Sequence, residues 1–279
     1  MEHRFLKANG IELHYLEKNS KHKPTIILLH GLSANANSFE SYMKLLENYR
    51  VISVDLRGRG LSEKPNNGYS MQSHAKDIIE MMDVLKIDEV ILAGHSFGGL
   101  LSVFLAVHYP KRISKIILID VAAKMHPEVR ELVTPSVMSR LKKTWSTYDE
   151  YIENMKKAPF LQGQWLPEME SFYKADCKET EKGIESRSNF EHIQQAVEAV
   201  LNPGIHWEEL ITQIKQPSIV INGTEPFVNK QVLVSKQHAM ETVHMMKNCK
   251  YIAVAGNHVT MLFGEGAKQT VSAITKFIN

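Results

Sequence analysis

A series of short apolar runs constrains the fold of this chain more than any other feature. The runs cover residues 25–30, 51–55, 90–94, 115–120, 218–222 and 251–255. They do not alternate with polar residues, a pattern typical of strands that are covered on both faces in a parallel sheet. Several of the runs are separated by segments with the apolar spacing of a helix. One such helix is predicted between 71 and 85, because its apolar residues lie three and four positions apart and Ser70 precedes them as a cap. This alternation predicts an α/β fold with a mostly parallel central sheet flanked by helices.

The N-terminal segment predicts a different kind of strand pairing. Residues 4–7 and 11–17 are separated by Asn9-Gly10, a dipeptide that favours a tight hairpin turn. We therefore expect an antiparallel hairpin at one edge of the sheet.

The middle of the chain interrupts the strand and helix alternation. From 122 to 204 no clear strand occurs, and two segments carry helix-start patterns, Ser146 with Asp149 and Ser188 with Glu191. The sequence therefore predicts an all-helical cap at 122–204, inserted into a core formed by 1–121 and 205–279.

Composition restricts the partners of this chain. Its 33 basic residues against 31 acidic ones give a formal charge of +2, which predicts binding neither to nucleic acid nor to an anionic membrane. No run of about 18 apolar residues and no secretory leader occurs, so we expect a complete cytoplasmic chain, although a chain trimmed of its leader would look the same. Cys177 and Cys249 have no metal-like spacing and are expected to be free thiols. The expected partner is a small molecule, and the sequence does not specify an oligomeric state.

One pentapeptide points to nucleophilic chemistry. Residues 94–98 read Gly-His-Ser-Phe-Gly, which matches G-x-S-x-G, a pattern that a chain of this length shows by chance roughly one time in ten. Its context is more specific, because a strand-like run ends at Gly94 and a helix-like run begins at Leu100. The glycines permit the tight turn that exposes a nucleophilic Ser96.

With these motifs the chain resembles the α/β-hydrolase superfamily over nearly its whole length. The supporting motifs occur in order: His30-Gly31, Asp55 to Ser62 (DLRGRGLS), the Ser96 elbow, and Gly256-Asn257-His258 after the last strand. In that superfamily the inserted segment is commonly a helical cap over the active site. The resemblance thus implies the same layout here, with most cap aromatic and methionine side chains packing within the cap and a minority lining the pocket.

The resemblance also implies roles for individual residues. His258 follows the last strand on the same rim as Ser96, so it is the expected general base. The backbone N–H groups of Phe97 and Leu32 are the expected oxyanion hole. For His30 and His95, structural hydrogen bonds are the favoured interpretation, and the loop from Arg57 to Gly60 lacks the residues of a phosphate-binding loop.

The acid of the triad has two candidates. Relatives commonly carry it in a G-x-x-D pattern after the strand that precedes the histidine, but this chain reads Gly223-Thr224-Glu225-Pro226. Glu225 could serve if the loop were one residue shorter, with Phe227 and Val228 following it. Asp120, at the end of the run 115–120, could instead reach His258 from a neighbouring strand, and we favour it slightly.

The expected activity is hydrolysis of carboxylic esters with small to medium acyl groups through an acyl-enzyme on Ser96. No metal or organic cofactor is required for that chemistry. A serine at the elbow counts against epoxide hydrolases and haloalkane dehalogenases, which use an aspartate there. Lactonases, carbon–carbon bond hydrolases and ligand receptors of the same fold remain alternatives.

Overall fold

The computed structural model describes residues 1–124, 140–161, 163–202, 204–227 and 231–279. Within them, an eight-stranded sheet has the order β1-β2-β4-β3-β5-β6-β10-β11. Its strands are β1 (Glu2–Ala8), β2 (Ile11–Lys18), β3 (Thr25–Leu29), β4 (Arg50–Val54), β5 (Val90–His95), β6 (Ile113–Ile119), β10 (Ser218–Gly223) and β11 (Cys249–Val254). The predicted hairpin is confirmed: β1 pairs antiparallel with β2 at the sheet edge, and β2 pairs antiparallel with β4. The remaining pairs are parallel.

The core and the insertion also contain helices. They are α1 (Glu40–Leu45), α2 (Met71–Val84), α3 (Phe97–His108), α4 (Tyr148–Lys156), α5 (Met169–Asp176), α6 (Phe190–Val200), α7 (Trp207–Thr212), α8 (Lys236–Met245) and α9 (Gly264–Ile278). Short 3₁₀ turns occupy Ala36–Phe39, Pro159–Leu161 and Thr260–Leu262. Ser70 caps α2 as predicted, because its hydroxyl accepts a hydrogen bond from Ser73 N.

Two buried clusters explain why the strand runs lack polar alternation. Every residue of β3, β5 and β10 is buried, since both faces of the sheet are covered. In β3, Ile27 joins Ile78 and Leu101 of α2 and α3 on one face. Its neighbour Ile26 joins Met43 and Ile274 of α1 and α9 on the other face. The predicted α/β architecture with a mostly parallel sheet is therefore confirmed.

The prediction of an all-helical insertion is wrong. Strands β7 (Thr144–Trp145), β8 (Cys177–Thr180) and β9 (Gly183–Ser186) form a three-stranded antiparallel sheet in the order β7-β9-β8. These strands are short and mostly half-buried or exposed, so they carry no apolar run that a sequence pattern could reveal. Pairing with each other, rather than burial of an apolar face, makes them strands.

The N-terminal caps of two helices in the insertion each lie one residue after the predicted position. Thr147 caps α4, because its hydroxyl accepts from Glu150 N, and the Glu150 carboxylate accepts from Ser146 N. Asn189 caps α6 through its bond from His192 N. Both segments satisfy the cap rule equally well in the shifted register.

Two further expectations can be compared with the structure. Cys177 and Cys249 are both free, as predicted. Within the described ranges, none of the helices has the length and apolar character that a membrane crossing requires.

Candidate active site

Ser96 lies in a sharp turn between β5 and α3. Its backbone angles, φ 52° and ψ −117°, fall in a region that side-chain-bearing residues rarely adopt. The flanking glycines make the turn possible: a Cβ on Gly94 would lie 2.1 Å from Gly98 O, and a Cβ on Gly98 would lie 2.0 Å from Leu29 O. The nucleophile-elbow geometry expected from the sequence is therefore present at Ser96.

His258 follows β11 and contacts Asp120. Its Nδ1 lies 2.7 Å from Asp120 Oδ2. Because that nitrogen donates its proton to the carboxylate, the lone pair of a neutral imidazole is on Nε2. Asp120 directly follows β6 with a positive φ of 48°, a conformation that aspartate tolerates better than most residues. The structure thus brings the favoured acid candidate against the expected base.

Asp120 is oriented by two hydrogen bonds to its other oxygen. Its Oδ1 accepts from Asn222 Nδ2 at 2.9 Å and from Gly223 N at 3.0 Å. Tyr251 donates its hydroxyl proton to Asn222 Oδ1 at 3.1 Å, which turns the amide so that its N–H₂ faces Asp120. The sequence analysis did not identify Asn222. Its place near the end of β10, the neighbour of β6, was the available signal.

Glu225, the second acid candidate, has a different environment. It is half-buried and its backbone N donates to Gly256 O at 3.1 Å. Its carboxylate makes no hydrogen bond or ion pair with any residue that the structure describes. Phe227 is buried, while Val228 lies outside the described residues. The structure brings Asp120, and not Glu225, to His258.

Ser96 and His258 line one cavity but are not hydrogen-bonded. Among the described residues, the Ser96 hydroxyl has no hydrogen-bond partner, and the His258 side chain is 11% exposed. Hydrogen bonds between a nucleophile and its base are often long before substrate binds. The two side chains therefore line the same cavity, and the contact with Asp120 sets the tautomer of the His258 imidazole.

Two other histidines at the site have structural hydrogen bonds, as expected. His95 Nε2 donates to His258 O at 2.8 Å, and the two rings lie 4.4 Å apart between centroids. His30 Nδ1 donates to Gly31 O, while its Nε2 accepts from Leu56 N. Burial lowers the pKa of His30 to about 4 and the pKa of His95 well below its usual value, so both are neutral at pH 7.

The two proposed oxyanion donors are the backbone N–H groups of Phe97, which follows Ser96 directly, and Leu32, which lies far earlier in the chain. Phe97 is the first residue of α3, so its N–H has no acceptor within the helix. Leu32 lines the cavity, and its carbonyl accepts from the buried Arg59 Nε at 2.9 Å. The Arg59 guanidinium also lies 5.3 Å from the Phe97 ring. Arg59, which is buried and does not line the cavity, thus lies against both residues.

The glycine-rich loop after β4 is structural, as expected. Arg57 forms a buried ion pair with Asp77. Asp55 accepts hydrogen bonds from His14 Nδ1 and from the backbone N–H groups of Ala36 and Leu61. Burial opposes the charged form of Asp55, but the hydrogen bond and charge of His14 hold its pKa below the usual value.

The cavity at Ser96 has a volume of about 490 Å³. Its wall is largely apolar, and more of the insertion's large side chains line it than the sequence analysis predicted: Trp145, Met155, Phe160, Phe172 and Tyr173. Asn257 connects the histidine loop to the insertion, because its Nδ2 donates to Phe160 O at 2.7 Å. Within the described part of the chain, no group of His, Cys, Asp and Glu side chains is arranged to hold a metal ion.

Sequence comparisons identify related proteins. The chain matches the model of a family described as "alpha/beta hydrolase fold" over residues 24–249. It is 33% identical to epoxide hydrolase 4 of Mus musculus over 44% of this chain and 34% of that protein. It is 34% identical to 2-(acetamidomethylene)succinate hydrolase of Mesorhizobium japonicum over 46% of this chain and 45% of that one. The matched segments thus span less than half of either relative.

Solved structures match over almost the whole chain. A crystal structure of E-2-(acetamidomethylene)succinate hydrolase superposes with a TM-score of 0.84 at 23% identity, covering 99% of this chain and 98% of that one. The enol-lactonase of Burkholderia xenovorans superposes with a TM-score of 0.77 at 23% identity and 99% coverage of both. At this level of identity the likeness shows a common fold.

Proposed function

Because the chain belongs to the α/β-hydrolase fold family, we propose that it hydrolyses carboxylic esters of small to medium acyl groups through an acyl-enzyme. The observation that carries the proposal is the 2.7 Å contact between Asp120 Oδ2 and His258 Nδ1, because the His258 side chain lines a cavity that Ser96 also lines. A strained serine and an imidazole at one cavity, with a buried carboxylate bound to the imidazole, form the constellation that activates a hydroxyl nucleophile.

Each residue of the constellation has one role in the proposed reaction. Ser96 Oγ attacks the ester carbonyl while His258 Nε2 takes its proton. His258 then passes that proton to the leaving alcohol, which leaves an acyl-Ser96 intermediate. Water, deprotonated by the same imidazole, attacks this intermediate, and the imidazolium returns the proton to Ser96 Oγ as the acid is released. Asp120 holds the imidazole tautomer and stabilises the imidazolium that forms twice in the cycle.

The backbone around Ser96 supports charge stabilisation in this mechanism. The Phe97 N–H at the start of α3 and the Leu32 N–H of the facing loop are the proposed donors to the tetrahedral oxyanion. Loss of one such donor typically costs about 3 kcal/mol of transition-state stabilisation. Neutral His95, packed against His258, adds no charge that would compete with the imidazolium.

The cavity limits the size of the substrate. A volume of about 490 Å³ with an aromatic wall suits a small or medium acyl group, since ligand pockets commonly measure ~300–1,000 Å³. We do not propose epoxide hydrolysis, although the chain is similar to epoxide hydrolase 4. The elbow of this chain carries a serine hydroxyl in place of the carboxylate expected of such enzymes.

Lactone hydrolysis is a second candidate. The enol-lactonase shares the fold over 99% of this chain, and the same steps would open a cyclic ester whose leaving alcohol stays attached to the acyl group. Carbon–carbon bond cleavage and ligand reception on this fold are further alternatives.

The test combines turnover with labelling. Initial rates on p-nitrophenyl esters of increasing acyl length, with Ser96→Ala as control, should show turnover that disappears in the variant. A fluorophosphonate probe should label Ser96 in the native chain only. Ester turnover that persists in Ser96→Ala would contradict the proposal. Absence of turnover together with rapid hydrolysis of a lactone would replace it by the second candidate.

A further inference from the structure

In the part of the chain that the structure describes, the charged side chains on the cavity wall are all basic. Among the described residues that line it, Arg140, Lys143 and Lys157 are basic, and neither Asp nor Glu occurs. The chain as a whole carries nearly equal numbers of acidic and basic residues, so the composition does not explain this bias. A one-sided charge in a concave, largely apolar site raises the local concentration of ligands of the opposite charge.

Arg140 is held in a defined orientation on this wall. Its Nη1 is ion-paired with Asp176 Oδ2, and its Nη2 lies 3.2 Å from both Ser33 O and Ser33 Oγ. The arginine side chain is 13% exposed, whereas Asp176 is 1% exposed and does not line the cavity. Asp176 therefore fixes the guanidinium from behind, while part of the arginine faces the cavity.

Asp176, the carboxylate that orients Arg140, is itself held by a buried hydrogen bond. Tyr151 donates its hydroxyl proton to Asp176 Oδ2 at 2.6 Å, and Tyr151 is fully buried. A guanidinium has five N–H groups in a planar fork, more than the bonds to Asp176 and Ser33 use. A guanidinium held in this way keeps N–H groups that can donate to a carboxylate.

Lys143 is a second cation on the wall. Lys143 lies 3.4 Å from Asn154 Oδ1 and has no ion pair with any acid that the structure describes. Lys143 and Lys157 are therefore charges on the wall that no described carboxylate balances, and an anionic ligand would balance them.

The position of this group relative to Ser96 sets the length of the ligand. Ser33, which Arg140 contacts, is next in the chain to Leu32, a proposed oxyanion donor. A ligand group bound at Arg140 and a carbonyl oxygen at the Leu32 N–H would thus contact neighbouring residues, which favours a short spacer between them.

We propose that Arg140, with Lys143, binds a carboxylate on the acyl group of the substrate, so that the preferred substrates are half-esters of short dicarboxylic acids. This inference rests on the proposed ester hydrolysis at Ser96. It adds a substrate class and a specificity-determining residue to that function.

The experiment compares matched esters. Monomethyl glutarate carries the carboxylate, and dimethyl glutarate is its neutral counterpart; hydrolysis of both is followed by pH-stat, with rates corrected for the two equivalent esters of the diester. We expect kcat/KM to be at least about tenfold higher for the half-ester, which corresponds to a tenfold difference in affinity. Equal values for the two esters would overturn the inference.

Variants assign the preference to Arg140. Because Arg140→Gln alone would leave Asp176 buried without its cation, the double change Arg140→Gln with Asp176→Asn removes both charges together. The half-ester should lose about tenfold in kcat/KM while the diester changes less than about twofold. Lys156→Gln, a basic residue of α4 that does not line the cavity, is the matched control and should leave both rates unchanged. Equal losses on both esters in the double variant would contradict a carboxylate site.

A binding measurement separates this inference from the proposed function. Calorimetry with the Ser96→Ala protein should show glutarate binding that weakens about tenfold or more in the Arg140 and Asp176 double variant. That result would support the site even if no ester were hydrolysed, in which case only the proposed function fails. Inorganic phosphate binding as tightly as glutarate, or binding of glutarate that is unchanged in the double variant, would overturn the carboxylate assignment.

Discussion

Asp120 Oδ2 lies 2.7 Å from His258 Nδ1, although the two residues are 138 positions apart in the chain. Asp120 directly follows β6, one strand removed from the β10 end where relatives commonly carry the acid. Its left-handed backbone, with φ 48°, turns the side chain toward the histidine loop. The contact requires both the strand order β6-β10-β11 and this local conformation.

The two acid candidates can be separated by substitution. Asp120→Asn should lower kcat by about 10³- to 10⁴-fold, because an amide stabilises the wrong imidazole tautomer and cannot compensate the imidazolium. Asparagine tolerates the positive φ at this position, so the fold should persist. Glu225→Gln is the matched control and should change kcat less than about threefold. Initial rates and thermal unfolding are measured on both; a large loss in Glu225→Gln with a mild one in Asp120→Asn would reverse the assignment.

Asn222 should act on catalysis through Asp120. Its Nδ2 donates to Asp120 Oδ1 at 2.9 Å, and hydrogen bonds to charged groups contribute about 1.5–3 kcal/mol. Asn222→Ala should therefore lower kcat by about tenfold or more with little change in KM, and should shift the pH–rate profile. Tyr251→Phe, which removes only the bond to Asn222 Oδ1, should have an effect of a few-fold at most. An unchanged kcat and pH profile in Asn222→Ala would show that its role is structural.

Gly98 should not tolerate a side chain. An added Cβ would lie 2.0 Å from Leu29 O and 2.8 Å from His30 O, which are backbone atoms of a buried strand end. Gly98→Ala should therefore lower the free energy of unfolding by about 3 kcal/mol or more. Gly10→Ala meets no atom within 4 Å but has φ +76°, so it should cost only about 1 kcal/mol of backbone strain. Urea unfolding of both variants checks the difference, and comparable losses would contradict the clash argument.

Buried neutral histidines should make the fold acid-sensitive. Burial lowers the pKa of His30 to about 4, and the pKa values of His74 and His95 well below the usual value. Since histidine in the unfolded chain titrates near 6.5, the unfolded state binds more protons in this range. The stability is fully present above pH 6.5 and is lost as the pH falls towards 4.

For His30 alone the loss between pH 7 and pH 5 should be on the order of 2 kcal/mol. Urea unfolding at the two pH values measures it. His30→Asn should flatten the pH dependence, whereas His22→Asn, at an exposed position, should leave it unchanged. Stability that does not fall between pH 7 and pH 5 would contradict the burial argument.

The central sheet and the elbow could be predicted because their signals are local. Strands covered on both faces must be apolar throughout, and a serine in a strained turn requires glycine two positions before and after it. The strands of the insertion could not be predicted, because two- and four-residue segments with charged side chains carry no apolar pattern. Helix caps at Thr147 and Asn189 were displaced by one residue for a related reason, since adjacent polar residues offer equivalent caps and packing chooses between them.

By itself, the sequence determined the α/β class, the order of the motifs, the position of Ser96 and the expectation that His258 lies on the same rim. The tertiary structure decided which carboxylate faces His258, because that contact depends on strand order and on one backbone turn at Asp120. It also decided that Asn222 and Tyr251 orient this carboxylate and that Arg140 is held over the cavity by Asp176. These relationships join residues that are distant in the chain, so only the packing of the strands and of the insertion brings their charges and hydrogen-bonding groups together.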